Sequence, residues 1–312
     1  MGGSVWGLPI RLFMRGVLPE RYTFCGSTDR RRGNFMYRII KVLNNNSILA
    51  YQLETGKEQI LLGKGIGFGK KPTEKIGEIP GAKVYALVTR EKKQSVLQAV
   101  NGISPVYIEI AGRIIEEAEK IFGTVSHEIL LPMADHIALA AKRALENRQM
   151  PNPFTPDIRV LFGKEYEAAL RGREIIREMT GAEISDDEVG FITLHIHAGR
   201  SDEQVSEALD TTRIINQGIS MIEEEFGQKF PADSLACTRL MSHLYYMAAR
   251  TRRGESTNVD FNDFIFASYP RTGEAAEKVC RFMEKELKKP VAKEEIGFLA
   301  IHIQRVIAPE TQ

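Results

Sequence analysis

Hydrophobic and polar positions follow two different periods along this chain, and the changeover lies near Pro105. Tyr37 to Val42 is a β-branched run, Ser47 to Leu53 and Glu58 to Leu62 are strand-length, and Val84 to Val88 supplies a fourth strand. Asn44-Asn-Asn46 and Glu54-Thr-Gly-Lys57 are the turn signals between the first three. A small antiparallel sheet is predicted. After Pro105 the period is helical: Ile108, Ala111, Ile114, Ile115 and Ala118 form one apolar stripe, and Ile137, Ala138, Ala141 and Leu145 form another. Pro151-Asn-Pro-Phe-Thr-Pro156 interrupts the pattern, which resumes from Glu165 to Met179. Thr211 to Phe226, Ser234 to Arg252, Gly273 to Leu287 and Lys293 to Val306 read as further helices. The fold class is therefore multidomain: a small antiparallel β domain followed by two all-α helical bundles of four or five helices each.

The two bundles are copies of one another. His136 and His195 are separated by 59 residues, and 107 residues later His243 and His302 repeat that spacing. Arg143 answers to Arg250 at the same offset, and Glu188-Val-Gly-Phe191 answers to Glu295-Ile-Gly-Phe298. Core packing has reason to repeat apolar positions but little reason to repeat four of only six histidines, so the duplication points to histidine chemistry. These patterns divide the chain into an extension or upstream start at 1–35, a β domain at 36–91, a linker at 92–103, and helical modules at 104–207 and 208–312. Residues 1–35 carry six arginines and no sustained period, and Met36 opens the first well-patterned segment.

The formal net charge of +1 hides an asymmetry. Residues 1 to 88 hold 14 Lys/Arg against 6 Asp/Glu, and the rest of the chain holds 28 against 35. The basic end is the one suited to a polyanion. Cys25, Cys237 and Cys280 are odd in number and widely spaced, which predicts a reducing, cytoplasmic setting with neither a disulfide framework nor a zinc cluster. No secretory signal or membrane-spanning run is read from the sequence.

The candidate chemistry lies in two places. Gly63-Lys-Gly-Ile-Gly-Phe-Gly-Lys-Lys71 departs from the nucleoside-triphosphate loop pattern, because Lys70 is followed by Lys71 where Ser or Thr is required. It also fails the dinucleotide pattern, in which Lys70 stands where the third glycine belongs. What remains is glycines that permit close backbone approach (Gly63 and Gly65 among them), Lys64 and Lys70 for phosphates, and Phe68 to stack on a base. That combination suits RNA, and the amides of Asn44 and Asn46 could read base edges. The bland alternative is a solvated loop with a chance lysine cluster. The second place is the histidine quartet. A neutral imidazole can accept a phosphoryl group, and Arg143 and Arg250, two turns after the first histidine of each copy, are candidate phosphate partners. His127 and His197 lack counterparts and read as structural or accessory. His195-Ile-His197 is a poor metal pair, since helical neighbours two apart diverge by roughly 200° and Gln304 replaces His197 in the second copy.

The run Lys41-Val-Leu-Asn-Asn-Asn46 followed by the glycine-lysine loop resembles the RNA-binding domain of the BglG/SacY class of bacterial transcriptional antiterminators. The two histidine modules resemble the paired phosphotransferase-system regulation domains of that class, and the loop form most resembles its glucose-operon members. The resemblance implies a homodimer that binds an imperfect hairpin in a leader mRNA, stops the overlapping terminator from forming, and uses no cofactor or catalytic residue. It assigns RNA contacts to Lys41, Asn46, Gly63, Lys64 and Phe68. It implies phosphorylation of His136 or His195 by a sugar-specific enzyme II, which inactivates, and of His243 or His302 by the phosphocarrier HPr. Two other readings stay open: a phosphorelay intermediate between phosphotransferase proteins, and a DNA-binding regulator, against which stands the lack of any helix-turn-helix pattern.

Overall fold

The computed structural model describes residues 35–86, 100–148, 150–201, 203–231, 234–256 and 259–308. The expectations for residues 1–34, including Cys25, lie outside the described residues, as do residues 92–99 of the expected linker.

The N-terminal domain is an antiparallel sheet of β1 (Tyr37–Asn44), β2 (Ser47–Gln52), β3 (Lys57–Leu62), β4 (Lys75–Ile76) and β5 (Lys83–Ala86), in the spatial order β4-β1-β2-β3-β5. It has one strand more than the four predicted. The extra one, β4, is two residues long and pairs with Tyr37 and Arg38, too short to leave a period-two signature. A two-residue turn at Asn45 and Asn46 joins β1 to β2, which pair from Tyr37 opposite Gln52 to Asn44 opposite Ser47 with register shifts between Ile39 and Lys41 and between Val42 and Asn44.

Ile48 to Ala50 of β2 and Ile60 to Leu62 of β3 are short continuous apolar runs because both faces of the sheet are covered there. Ile39, Ile48, Ala50, Leu61, Ile66 and Ile76 form a small core on one face. Leu49, Ile60, Leu62 and Tyr85 point the other way and join the core of the first helical module. A sheet of this size buries too little apolar surface alone, which at the sequence level favours dimerisation as the remedy. Within one chain, part of the missing cover comes from helix α1 (Pro105–Phe122). Gly112 makes the close approach possible: a Cβ there would lie 2.3 Å from Leu62 Cδ1, and the Tyr85 hydroxyl donates to the Gly112 carbonyl at 3.3 Å. Val100 and Ile103, at the described end of the expected linker, are buried in the same core.

The first module continues with α2 (Leu130–Leu145), α3 (Thr155–Leu161), α4 (Gly163–Thr180) and α5 (Asp186–Ala198), and the second consists of α6 (Val205–Phe226), α7 (Leu235–Arg253), α8 (Asn262–Ser268), α9 (Pro270–Leu287) and α10 (Glu294–Ile307). The repeat is kept in three dimensions, since α3 and α4 recur as α8 and α9 with the same lengths 107 residues later. The predicted α1 stripe is buried throughout. That of α2 is buried at Ile137 and Ala141, but Leu145 is 62% exposed, because the stripe runs out of the bundle at the helix's last residue. A separate apolar cluster of Ile158, Phe162, Leu194 and Ala208 lies at the joint between the modules.

Candidate histidine centres and nucleic-acid interface

Each module builds its centre from two helices and one spacing. A seven-residue step is two helical turns, so His136 and Arg143 share a face of α2, and Glu188 and His195 share a face of α5. Packing α2 on α5 brings the four residues together, and α7 and α10 do the same with His243, Arg250, Glu295 and His302. The ring centroids are 5.4 Å apart in the first pair and 4.6 Å in the second, where the imidazoles stack.

A buried carboxylate sits at each centre. Glu188 is 1% exposed and accepts from Arg143 Nε at 2.9 Å and a terminal guanidinium nitrogen at 2.7 Å, both on Oε1. Its Oε2 lies 3.3 Å from His136 Nε2, misaligned for a hydrogen bond. Glu295 takes the Arg250 fork on both oxygens, at 2.7 and 2.9 Å, and lies 3.7 Å from His243 Nε2. Sequence reasoning noted these glutamates as flanking matches and missed their role. The signal was an acidic residue, repeated at the same offset, in the first turn of an apolar helix. Each arginine proposed as a phosphate partner therefore already holds a carboxylate that a phosphoryl group would have to displace.

Buried nitrogens recur in register: Nε2 of His136 and His243, and Nδ1 of His195 and His302, have no hydrogen-bond partner among the described residues. Uncommitted buried polar atoms are costly and call for an explanation, which a reactive imidazole supplies. Burial, with His136 adjacent, pushes His195 down to about 3. Burial, with His302 and Arg250 adjacent, pushes His243 down to about 3. His302 is lowered by burial and by Arg305 and Arg239. At neutral pH these three rings are neutral, the form that carries a free lone pair for phosphoryl transfer. Burial pushes the Glu188 carboxyl up, but His136 and Arg143 outweigh it and hold it below the usual carboxylate range.

These shifts have opposite consequences for stability. His195 and His243 are held near 3 when folded and titrate near 6.5 when unfolded, so the stability they support is complete above pH 6.5 and erodes as pH falls toward 3. Lowered carboxylates such as Glu188 add their loss only below about 4.5. His197, raised by Glu165 and Glu203 against its burial, acts the other way, stabilising below 6.5 and losing that contribution at higher pH. The thermal midpoint is expected to fall between pH 6.5 and 5, and His243→Asn to flatten that slope; an unchanged slope in calorimetry would contradict the assignment.

His197 and His127 occupy joints. His197 Nε2 lies 2.9 Å from the Tyr245 hydroxyl of the second module and 3.5 Å from Glu203, and its Nδ1 lies 3.5 Å from Glu165. His127 contacts Glu119 at 2.9 Å and packs on Tyr85 of the sheet, ring centroids 4.5 Å apart. Among the described residues no group of three or more His, Cys, Asp or Glu could hold a metal ion, and no helix is long and apolar enough to cross a membrane.

The second candidate surface is one zipped unit. Gly63 N–H donates to the Asn46 carbonyl at 2.9 Å, Gly65 N–H to Asn46 Oδ1 at 2.9 Å, and Gly67 N–H to the Asn45 carbonyl at 3.0 Å. The asparagine turn and the glycine-lysine loop, separated in sequence by two strands, are thus brought together. Phe68 is 75% exposed and Lys64 is also exposed, a platform and a cation at the tip. Lys70 is paired with Glu74 at 2.6 Å. Lys41, Asn44 and Asn46 turn toward the first helical module: Lys41 Nζ donates to Asn101 at 2.7 Å, and both asparagine amides donate to Glu109.

Comparison with known proteins finds two kinds of domain in the chain. Residues 37–94 match the CAT RNA binding domain, and residues 112–199 and 216–306 each match the PRD domain. The chain is 30% identical over 274 residues to the GlcA/glcB genes antiterminator of Staphylococcus carnosus, covering 86% of this chain and 94% of that protein. It is 27% identical to the transcription antiterminator LicT of Bacillus subtilis, covering 86% and 99%, and 28% identical to the protein GlcT of Staphylococcus saprophyticus, covering 86% and 96%. A crystal structure of GlcT CAT-PRDI aligns with 53% of this chain and 98% of its own at 31% identity and a TM-score of 0.45. The chain belongs to the family of transcription antiterminators that join a CAT RNA-binding domain to two PRD domains.

Proposed function

We propose that this protein binds, as a cytoplasmic homodimer, a hairpin in the leader mRNA of a sugar phosphotransferase operon, in the glucose-type manner, and so prevents terminator formation. Lys41, Asn44, Asn46, Gly63, Lys64, Gly65, Phe68 and Lys70 make up the RNA surface. His136 or His195 receives a phosphoryl group from the sugar-specific enzyme II, which silences the protein, and His243 or His302 receives one from HPr. One observation carries this reading: both modules hold a pair of imidazoles, each with a buried nitrogen uncommitted among the described residues, over the same Arg-Glu pair.

The charge argument gives the switch its size. A phosphoryl group adds about −1.5 to −2 charges at neutral pH. Like charges 4 Å apart repel by about 4 kcal/mol where the effective dielectric is about 20. With Glu188 Oε2 3.3 Å from His136 Nε2, that is enough to break the Arg143 pair or swing α2 against α5, and a few kcal/mol suffice to shift a two-state balance.

The test is phosphorylation of the full chain from phosphoenolpyruvate, with the histidines mapped by mass spectrometry at neutral pH and leader-RNA affinity measured on the same samples. HPr that already carries a phosphoryl group is expected, as the sole donor, to label His243 or His302. Adding enzyme II is expected to label His136 or His195 and to weaken RNA binding at least tenfold. Phosphoryl groups that pass quickly to a third protein with RNA binding unchanged would establish the relay reading instead.

A further inference from the structure

The residues read as RNA contacts are not equally available. Phe68 and Lys64 face solvent, whereas the side-chain donors of Lys41, Asn44 and Asn46 are engaged by segments that belong to the first PRD module or lead into it. Glu109, in the second turn of α1, is the common partner of the two asparagines. Its Oε2 accepts from Asn44 Nδ2 at 3.3 Å, its two oxygens lie 3.2 and 3.4 Å from Asn46 Nδ2, and Arg113 steadies it from one turn on at 3.1 Å. The other end of each asparagine is committed to the domain itself: Asn44 Oδ1 accepts from Asn46 N–H and the Ser47 hydroxyl, and Asn46 Oδ1 from Gly65 N–H. What each asparagine has to offer a ligand is therefore mainly its amide nitrogen, and Glu109 already accepts from both.

A carboxylate offers two acceptor oxygens and a negative charge, as a phosphate does, and its oxygens match the acceptors on a base edge. We propose that Glu109 is an internal competitor for RNA: the first PRD module holds Asn44 and Asn46 in a closed contact, and RNA binds only when α1 withdraws its carboxylate. This rests on the reading of those asparagines as RNA contacts. The contact is seated rather than incidental, because α1 is held on the sheet at both ends. Glu109 grips the asparagine turn, while Lys83 pairs with Glu119 at 2.9 Å toward the other end, with Gly112 against Leu62 between them. Helix α1 also packs on α2, which carries His136, so a change at that histidine has a packed neighbour through which to reach the RNA surface.

The experiment measures affinity of the full chain for the leader hairpin at one fixed salt concentration, in the unphosphorylated native protein and in Glu109→Ala, Glu109→Gln, Glu117→Ala, Asn46→Ala and the Glu109→Ala/Asn46→Ala double variant. Glu117 lies on the same helix but pairs with Lys120 and Arg171 inside the module, so its removal makes the same charge change without touching the asparagines. Glu109→Ala is expected to bind about tenfold tighter and Glu109→Gln less so, because an amide oxygen still accepts one hydrogen bond. Glu117→Ala is expected to stay within twofold of native, and Asn46→Ala to lose binding in both backgrounds. Should Glu109→Ala gain no more than Glu117→Ala while Asn46→Ala still loses binding, the closed contact is refuted and the RNA surface stands. Native affinity in Asn46→Ala would refute both. Thermal midpoints of all variants show that each is folded.

Discussion

Replacing Arg250 with alanine is expected to destabilise the second PRD module by about 3–5 kcal/mol, the usual penalty for leaving one member of a buried ion pair without its partner. Glu295 is 2% exposed and receives both of its charge-assisted hydrogen bonds, at 2.7 and 2.9 Å, from that guanidinium. For a module of this size each kcal/mol moves the midpoint by about 4–8 °C, so the transition assigned to this module should fall by more than about 12 °C in calorimetry. Replacing both residues by apolar ones of similar volume should recover much of the loss, because the cost lies in the orphaned carboxylate rather than in the absent pair. Were Arg250 instead a free cation waiting for phosphate, its removal would leave the unphosphorylated protein's midpoint nearly unchanged, and that outcome would remove Glu295 from the account.

The second large effect is expected at Gly67. A Cβ there would lie 2.1 Å from the Asn44 carbonyl oxygen and 3.1 Å from Val42 Cγ1. The first of these is backbone, with no rotamer to move away, and Gly67 N–H is itself tied to Asn45. In Gly67→Ala the loop must therefore part from the asparagine turn, which displaces Phe68 and loosens the Gly65 bond to Asn46 together. Overpacking of this kind costs about 1–3 kcal/mol in stability. Losing one stacked base is worth about 1–3 kcal/mol, and losing a base-edge contact as well brings the fall in RNA affinity to about 100-fold. Gly65→Ala is the instructive contrast: nothing lies within 4 Å of its added Cβ, and only the left-handed backbone, φ +71°, is strained, at about 1–2 kcal/mol. Titration of both variants with the leader hairpin checks the ranking, and native affinity in Gly67→Ala would separate the loop from RNA binding.

Most of the architecture was legible because its signals are long. Stripes such as Ile108 to Ala118 span several turns, and the histidine repeat survives as matched coordinates in space. Short elements escaped: α3 and α8 have seven residues each and β4 has two, less than a hydrophobic period needs to show itself. Contacts between domains escaped for another reason. Glu109 reads in sequence as a solvent-facing residue of an amphipathic helix, and nothing in the helical pattern tells that its carboxylate meets a turn more than sixty residues earlier. The covering of Leu49, Ile60 and Leu62 by α1 was hidden likewise, since a doubly buried strand reads the same whichever partner covers it. Glu188 and Glu295 were in plain view as part of a repeated run, yet their pairing with Arg143 and Arg250 depends on two helices meeting, which spacing within one helix does not state.

The measurement that tests the central claim most directly is a titration of the full chain against its leader hairpin, a scrambled RNA of the same length, and the matching duplex DNA, at one fixed salt concentration. The account expects the hairpin to be bound at least a hundredfold more tightly than either competitor, because Phe68 and the asparagine turn recognise unpaired bases and not only phosphate charge. Equal, weak binding to all three that falls away steeply with salt would show a basic surface without recognition, and would contradict the assignment of RNA reading to this loop.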